Sequence, residues 1–155
     1  VAAPMIEKTL ILPDAQATHD AGQALGAVLR AGDVVALSGD LGAGKTSLTR
    51  GILAELGLEE DAPSPSFALV IPYAPPQIRL PLWHVDLYRL DSPEDAEELG
   101  LDDALYDGAL VIEWPERLDW LWPQTLRLHI SLPADGPRRL TARLSPSWED
   151  RWPFK

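Results

Sequence analysis

The sequence predicts an α/β fold, a three-layer sandwich in which a central mixed β-sheet is flanked by helices. Two apolar runs rich in β-branched residues, at 33–39 and 109–113, are typical of strands buried on both faces. Segments 18–33 and 45–57 instead carry apolar residues at helical spacing. Residues 125–144 contain two segments that alternate apolar and polar side chains, as antiparallel strands do. Buried and alternating strands in one chain predict a mixed sheet.

The N-terminal half alternates strand and helix. Residues 6–12 form the first predicted strand. A helix over 18–33 follows, with Gly32 as its predicted end and with four apolar residues on one face: Ala21, Leu25, Val28 and Leu29. The strand over 33–39 leads through a glycine-rich loop into a helix over 45–57.

The middle of the chain predicts a hairpin and a short helix. Residues 59–67 are rich in proline and serine, which indicates a loop. Strands over 67–73 and 78–88 are joined by a four-residue turn and predict an antiparallel pair. A helix is expected over 92–100, with Ser92 as its N-cap, Pro93 at its first position and Gly100 at its end.

The C-terminal part predicts the buried strand 109–113, a turn and short helix over 114–123, and a closing hairpin. The tail, residues 145–155, is expected to pack loosely. The 155 residues predict a single domain over 1–155 with a core over about 6–144.

Composition narrows the class of protein. Apolar residues make up 46% of the chain, which is typical of a globular protein. No apolar run is long enough for a membrane span, and the N-terminal residues lack the pattern of a secretory signal. The chain has no cysteine, which excludes disulfides and cysteine-based zinc sites and fits a reducing compartment. We expect a cytoplasmic protein without a membrane partner.

The net charge of −11 bears on binding partners. Nucleic-acid affinity comes largely from lysine and arginine meeting phosphates, and the only lysines are Lys8, Lys45 and Lys155. We therefore expect no direct binding to DNA and no strong direct grip on RNA. Residues 91–107 contain many acids and no basic residue. This segment is either a solvated face or a docking surface for a basic partner.

Residues 39–46 match the phosphate-binding pattern G-x-x-x-x-G-K-[ST] between a predicted strand and a predicted helix. In such a loop the backbone N–H groups and the helix N-terminus surround a phosphate, the lysine reaches the β- and γ-phosphates, and the hydroxyl binds Mg²⁺. The sequence thus predicts a P-loop NTPase-like fold that binds ATP and Mg²⁺. The predicted nucleotide-binding residues here are Gly39, Asp40, Leu41, Gly42, Ala43, Gly44, Lys45, Thr46 and Ser47.

A P-loop enzyme also needs a carboxylate at the end of a neighbouring strand to hold the metal. Glu113 ends one predicted apolar strand, and Asp86 lies late in another. Either could instead be a solvated acid at a strand end. Ser64 and Ser66 could approach the γ-phosphate from their loop or belong to a structural turn.

Four other side chains have a functional and a structural interpretation. Arg50 or Arg89 could neutralise charge in a transition state, although an exposed or ion-paired arginine is the commoner case. His84 is expected to be a packed strand histidine rather than an acid or base. Trp114 fits either the core or a cap over the nucleotide.

Several P-loop classes are disfavoured. GTPases read guanine with N/T-K-x-D, and this chain contains no asparagine and no suitably placed lysine. A small-molecule kinase normally adds an arginine-rich lid and a substrate domain, for which 155 residues leave little room. A minimal ATPase that acts through a partner fits best. The alternatives are a small free-standing P-loop kinase and a nucleotide-gated binding module.

The order and spacing of five segments resemble the TsaE family, also called YjeE. They are GDLGAGKT at 39–46, SPSF at 64–67, HVDLYRL at 84–90, EELGL at 97–101 and EWPERL at 113–118, with serine at position 66 where the family usually has threonine. The resemblance implies an Mg²⁺-dependent ATPase, weak on its own, that is required for threonylcarbamoyladenosine modification of tRNA. It also implies TsaD and TsaB as protein partners, with tRNA contacted only indirectly.

The resemblance implies roles for individual residues as well. Lys45 would bind phosphates and serve in catalysis, Thr46 and Glu113 would hold Mg²⁺, and Asp86 would be a catalytic or metal-linked acid. The remaining nucleotide contacts implied by the resemblance are Ala15 and Thr18, in the segment 15–18 before the first helix, Glu116, and one arginine of the last hairpin, Arg138 or Arg139.

Overall fold

A computed structural model describes residues 5–40, 44–59 and 70–154. The strands in this part of the chain are β1 (Ile6–Leu12), β2 (Val34–Gly39), β3 (Val70–Tyr73), β4 (Leu82–Asp86), β5 (Ala109–Glu113), β6 (Leu126–Ser131) and β7 (Arg138–Leu144). The α-helices are α1 (Ala15–Val28), α2 (Lys45–Leu56), α3 (Leu101–Ala104) and α4 (Pro146–Glu149), and 3₁₀ helices span Pro93–Leu99 and Pro115–Arg117. No helix of the described ranges is long and apolar enough to cross a membrane.

All described strands belong to one mixed sheet in the order β1-β7-β6-β2-β5-β4-β3. The central strands β6, β2, β5 and β4 run parallel, whereas β7, β1 and β3 are antiparallel to their neighbours. Parallel strands end at the same edge of a sheet, and ligands of such sheets bind beyond that edge. Here the end of β2 meets the phosphate-binding loop, and Asp86 lies beside Glu113 in the register of β4 and β5.

The core lies on both faces of the sheet. On one face α1 and α2 cover a cluster that includes Leu37 and Leu128, both almost fully buried. On the other face the 3₁₀ helix Pro93–Leu99 and α3 cover Leu110 and Ile112. Because side chains alternate along a strand, the apolar runs of β2 and β5 supply both layers. The predicted three-layer α/β architecture with a mixed sheet is confirmed.

The first helix differs from its predicted bounds of 18–33. It begins at Ala15, because the Asp14 carboxylate accepts a hydrogen bond from the Ala17 N–H at 2.8 Å and caps the helix there. It ends at Val28, because the Asp33 carboxylate accepts the N–H of Arg30 at 2.7 Å and organises a turn instead. Helical periodicity correctly placed the buried face of the helix. It could not predict the hydrogen bonds of Asp14 and Asp33 that set the two ends.

The helix expected over 92–100 is a 3₁₀ helix over Pro93–Leu99, and Ser92 makes no capping hydrogen bond. Its one buried residue is Ala96. Short helices depend on packing of an apolar face, and one alanine supplies little of it. Gly100 ends the segment as predicted, in a left-handed conformation.

The prediction of a loosely packed tail is wrong for residues 145–154. Trp148 is fully buried in the core under α1 and α2. Arg151 donates two hydrogen bonds of 2.8 Å to the Asp33 carboxylate and a third to the carbonyl oxygen of Val28. The tail therefore packs against the core and is hydrogen-bonded to the C-terminal end of α1 and to the turn that follows it.

Candidate functional site

The two ends of the phosphate-binding loop have the geometry that the motif requires. Gly39 ends β2 with φ +143° and Gly44 precedes α2 with φ +113°, conformations that favour glycine. A Cβ atom on Gly44 would lie 3.1 Å from Arg138 Nη1 and 3.3 Å from Thr18 Cγ2. Thr46 lies half-buried in the first turn of α2. The predicted strand-loop-helix context is present, whereas Leu41, Gly42 and Ala43 lie outside the described residues.

Lys45 is buried at the start of α2 with 6% of its surface exposed. Within the described ranges its Nζ has no hydrogen-bond partner, and it lies 4.1 Å from the centroid of the Trp114 ring. A cation–π contact compensates only part of the cost of burying an ammonium group. The position therefore fits an anion, and the N-terminus of α2 provides further N–H donors for one.

A second cationic side chain, Arg138, reaches the same place from β7. Its Nη1 donates a hydrogen bond of 3.1 Å to Thr18 Oγ1, and its buried Nε has no partner among the described residues. Arg139 lies on the opposite face of the sheet and is exposed, because consecutive strand residues alternate. The structure thus brings Arg138, and not Arg139, to the loop.

The segment 15–18 forms the first turn of α1 and does not precede the helix as expected. Thr18 is fully buried beside Gly44 and donates its hydroxyl hydrogen to the carbonyl oxygen of Asp14 at 3.2 Å. Ala15 is exposed at the helix start. Asp14, which caps the helix, was not among the predicted residues, although an aspartate ahead of an apolar periodic segment is a recognisable helix start.

Two carboxylates lie side by side at the ends of β4 and β5. Asp86 and Glu113 are partners in the strand register, and alternation directs both toward the α2 face. Partial burial, with a further contribution from the negative Glu113, raises the pKa of Asp86 above its ordinary value. The Tyr88 N–H, which donates to Asp86 Oδ1 at 2.9 Å, and the nearby His84 and Lys45 oppose this rise in pKa.

His84 contacts a predicted site residue, and sequence reasoning missed this contact. It is buried, as expected of a packed strand histidine, but its Nε2 lies 2.6 Å from Glu113 Oε2. The alternation of β4 contains a signal, because His84 stands two residues before Asp86 and thus on the same face. Neither Asp86 nor Glu113 is therefore an ordinary solvated acid at a strand end.

The oxygen ligands at this edge fit Mg²⁺. The ion prefers carboxylate, hydroxyl and phosphate oxygens, and in phosphate sites it uses only one or two protein carboxylates. Asp86, Glu113 and the hydroxyl of Thr46 supply such a set. No cluster of three or more histidine, cysteine or acidic residues suited to a metal occurs in the described ranges, so a metal here would also need phosphate oxygens or water.

Trp114 covers the site from the end of β5. It adopts a left-handed conformation with φ 60°, which is uncommon for a large residue. Its ring contacts the ring of Tyr88 at 4.9 Å between centroids and lies over Lys45. Trp114 also packs against the core cluster that contains Leu110 and Ile112, so its position combines the two interpretations, a partly buried core residue and a cover over the lysine.

The other predicted residues differ in their exposure. Glu116 is exposed on the turn after Trp114 and lines a separate cavity of about 590 Å³ with Ser38 and His129. Asp40 is exposed and Ser47 is half-buried. Arg50 and Arg89 are exposed, and each already has an interaction partner. Ser64 and Ser66 fall outside the described residues.

Comparison with known proteins places this geometry in a family. The chain matches the family model of "threonylcarbamoyl adenosine biosynthesis protein TsaE" over residues 12–140. It is 40% identical over 129 residues to the tRNA threonylcarbamoyladenosine biosynthesis protein TsaE of Treponema pallidum, a match covering 82% of this chain and 93% of the relative. The TsaE protein of a Nostoc species is 35% identical over 142 residues, or 88% of this chain and 85% of that one.

A solved structure agrees with the sequence comparisons. The crystal structure of YdiB from Bacillus subtilis is similar to this chain with a TM-score of 0.73 and 28% sequence identity. The match covers 96% of this chain and 93% of YdiB. The loop that joins β2 to α2, the paired acids and the family match over most of the chain lead to one conclusion. The chain belongs to the TsaE family.

Proposed function

We propose that this protein is an Mg²⁺-dependent ATPase required for threonylcarbamoyladenosine modification of tRNA. The observation that carries the ATP-binding part is the pair of buried cationic donors, Lys45 Nζ and Arg138 Nε, which lack described partners on the two sides of Gly44. Buried donors without acceptors are uncommon in native proteins, and a polyphosphate would satisfy both. The names of the relatives support the pathway.

The side chains divide the work of binding a triphosphate. The phosphates would lie near Gly39 and Gly44, the described ends of the loop, and Lys45 would reach the β- and γ-phosphates. Arg138, which donates a hydrogen bond to Thr18, lies beside Gly44 and would contact the nucleotide there. ATP is proposed rather than GTP because the chain lacks a guanine-reading motif.

The strand-end acids supply the chemistry of hydrolysis. Thr46, Glu113 and Asp86 would hold Mg²⁺ directly or through water, and the bound ion would neutralise charge on the phosphate oxygens. Asp86 is half-buried and accepts only one described hydrogen bond. It therefore retains oxygen lone pairs with which to orient an attacking water. Glu113 Oε2 lies 2.6 Å from His84 Nε2.

TsaD and TsaB are the proposed partners, and tRNA is contacted only indirectly. A net charge of −11 disfavours direct binding to tRNA, because the phosphates of tRNA are also negatively charged. We expect weak hydrolysis by the isolated chain, because the family resemblance implies an ATPase whose effect is exerted on another protein.

A reconstituted modification assay tests this function. TsaD, TsaB, the threonylcarbamoyl donor and tRNA are incubated with and without this chain, and modified tRNA is counted over several turnovers. We expect repeated turnover only when the chain and hydrolysable ATP are present. Equal amounts of modified tRNA without the chain would contradict the function. Radiolabelled γ-phosphate recovered on an acceptor other than water would support a free-standing kinase instead.

A further inference from the structure

His84 and Glu113 form a buried polar pair beneath the nucleotide site. His84 Nε2 lies 2.6 Å from Glu113 Oε2, and the side chains are 2% and 7% exposed. His84 Nδ1 is also buried and has no partner within the described ranges. The bond to Glu113 is thus the one described hydrogen bond of the imidazole, and it requires that Nε2 carries the hydrogen.

The register of the sheet makes this contact diagonal. On β4 and β5, His84 is the partner of Val111, and Asp86 is the partner of Glu113. His84 therefore lies two residues further from the carboxyl ends of the strands than the two acids. Its imidazole approaches Glu113 from the side of the core.

The two oxygens of Glu113 have different surroundings. Oε2 accepts the imidazole hydrogen. Oε1 has no described hydrogen bond, and the Glu113 side chain keeps 7% of its surface exposed. One oxygen of the carboxylate is therefore held by His84, and the other has no described partner.

We infer that His84 is a positioning residue for Glu113, holding Oε2 so that Oε1 is presented to the Mg²⁺–phosphate site. This inference rests on the proposed function, because it assumes that Glu113 serves the metal. Removing a group that hydrogen-bonds to a metal ligand commonly lowers metal affinity by about 10- to 100-fold. Without the anchor, Glu113 would distribute over several rotamers, only some of which reach the site.

Two amide substitutions separate positioning from packing. In His84→Gln the side-chain nitrogen can stand where Nε2 stands and still donate to Glu113. In His84→Asn the nitrogen stands near the position of Nδ1 and falls short of Glu113. Both replacements are polar amides smaller than histidine. They form a matched pair that differs in the distance from the backbone to the donor nitrogen.

The readout is Mn²⁺ binding, followed by electron paramagnetic resonance, to the full chain saturated with a non-hydrolysable ATP analogue. We expect His84→Asn to weaken Mn²⁺ binding about 10-fold and His84→Gln to weaken it less than about 3-fold. Affinity for the analogue in EDTA should stay unchanged in both variants. Equal Mn²⁺ affinities of the Asn and Gln variants would overturn the inference.

A double-mutant cycle tests whether the effect passes through Glu113. If His84 acts by holding that carboxylate, His84→Asn should have little further effect on Mn²⁺ binding in a Glu113→Gln background. A full 10-fold loss in that background would show that His84 acts otherwise. Failure of the unmodified chain to bind the analogue at all would instead reject the proposed ATP site, so the two failures are distinguishable.

Discussion

Lys45 Nζ lies 4.1 Å from the centroid of the Trp114 ring, and the described residues offer it no hydrogen-bond acceptor. The free protein therefore keeps this buried cation against an aromatic face, with the Asp86 carboxylate near enough to interact with its charge but without a described hydrogen bond to it. Such an arrangement costs stability without ligand and is relieved when a phosphate arrives. Removing the charge of Lys45 should therefore weaken ATP binding and raise the free energy of unfolding of the free protein.

Lys45→Met tests that opposition. We expect the variant to lose ATP-dependent thermal stabilisation, while the free protein gains about 1 kcal/mol because a buried unpaired donor is removed. For a chain of this size that gain corresponds to roughly 2–4 °C in Tm. Differential scanning calorimetry with and without ATP measures both quantities.

Lys8→Met is the matched control, because Lys8 is exposed on β1. It should leave the ATP-dependent shift in Tm intact. A Lys45→Met protein that is still stabilised by ATP would contradict the assigned role.

Arg138→Ala and Arg139→Ala distinguish the two faces of β7. We expect Arg138→Ala to weaken ATP binding about 10- to 100-fold, since a hydrogen bond to a charged group contributes about 1.5–3 kcal/mol. Arg139→Ala should bind as the parent does, because its side chain lies on the other face. Isothermal titration with ATP compares the pair, and equal losses would refute the choice of Arg138.

Asp86→Asn should lower turnover more than binding. Loss of a group that orients water or transfers a proton costs about 100-fold or more in rate, whereas ATP affinity depends chiefly on the loop and Lys45. Steady-state hydrolysis and equilibrium binding are measured on the same preparation. Parallel losses in both quantities would contradict this division of roles.

The pH dependence of stability provides a separate test at Asp86. Burial raises the pKa of this carboxyl in the folded protein above its ordinary value of 3.8, so the folded state binds the proton more tightly than the unfolded state. Ionisation above that raised pKa therefore destabilises the free protein, and the penalty disappears as pH falls through it. We expect Asp86→Asn to raise Tm at neutral pH and to lose this advantage as pH falls to the ordinary pKa of an aspartate.

Asp135→Asn controls for the change in net charge, because Asp135 is exposed in the β6–β7 turn. Its Tm should follow that of the parent across the pH range. A rise in Tm for Asp86→Asn that persists undiminished at acidic pH would contradict the raised pKa as its cause.

The tail contributes to stability. Trp148 is fully buried, and Trp148→Ala should cost about 3–5 kcal/mol in the free energy of unfolding. Trp120→Ala makes the same change at a side chain that is 58% exposed and should cost far less. Urea unfolding of both variants checks the difference, and similar costs would be evidence against a packed tail.

Local patterns predicted β2 and β5 well, for a physical reason. Apolar β-branched runs have few other stable placements, so β2 and β5 could be recognised without a structure. The loop motif combines two glycines with a strand and a helix whose own periodicities are strong. Each of these patterns lies within about a dozen consecutive residues, so it can be recognised without knowledge of tertiary contacts.

Contacts distant in sequence could not be predicted in the same way. The contact of Arg138 with Thr18 joins β7 to α1 across 120 residues of sequence. The packing of the tail includes the hydrogen bonds of Arg151 to Asp33, which is 118 residues away. The contact of His84 with Glu113 requires β4 and β5 to be neighbours, a fact of topology that composition does not contain.

The most direct test of the central claim is the steady-state rate of ATP hydrolysis by this chain, measured alone and with a saturating TsaD–TsaB complex, with Lys45→Met as the inactive reference. The proposed function predicts slow turnover alone, a rise of at least about 10-fold with the complex, and neither in the variant. A rate that the complex leaves unchanged, or that Lys45→Met retains, would contradict an ATPase acting through these partners at this site.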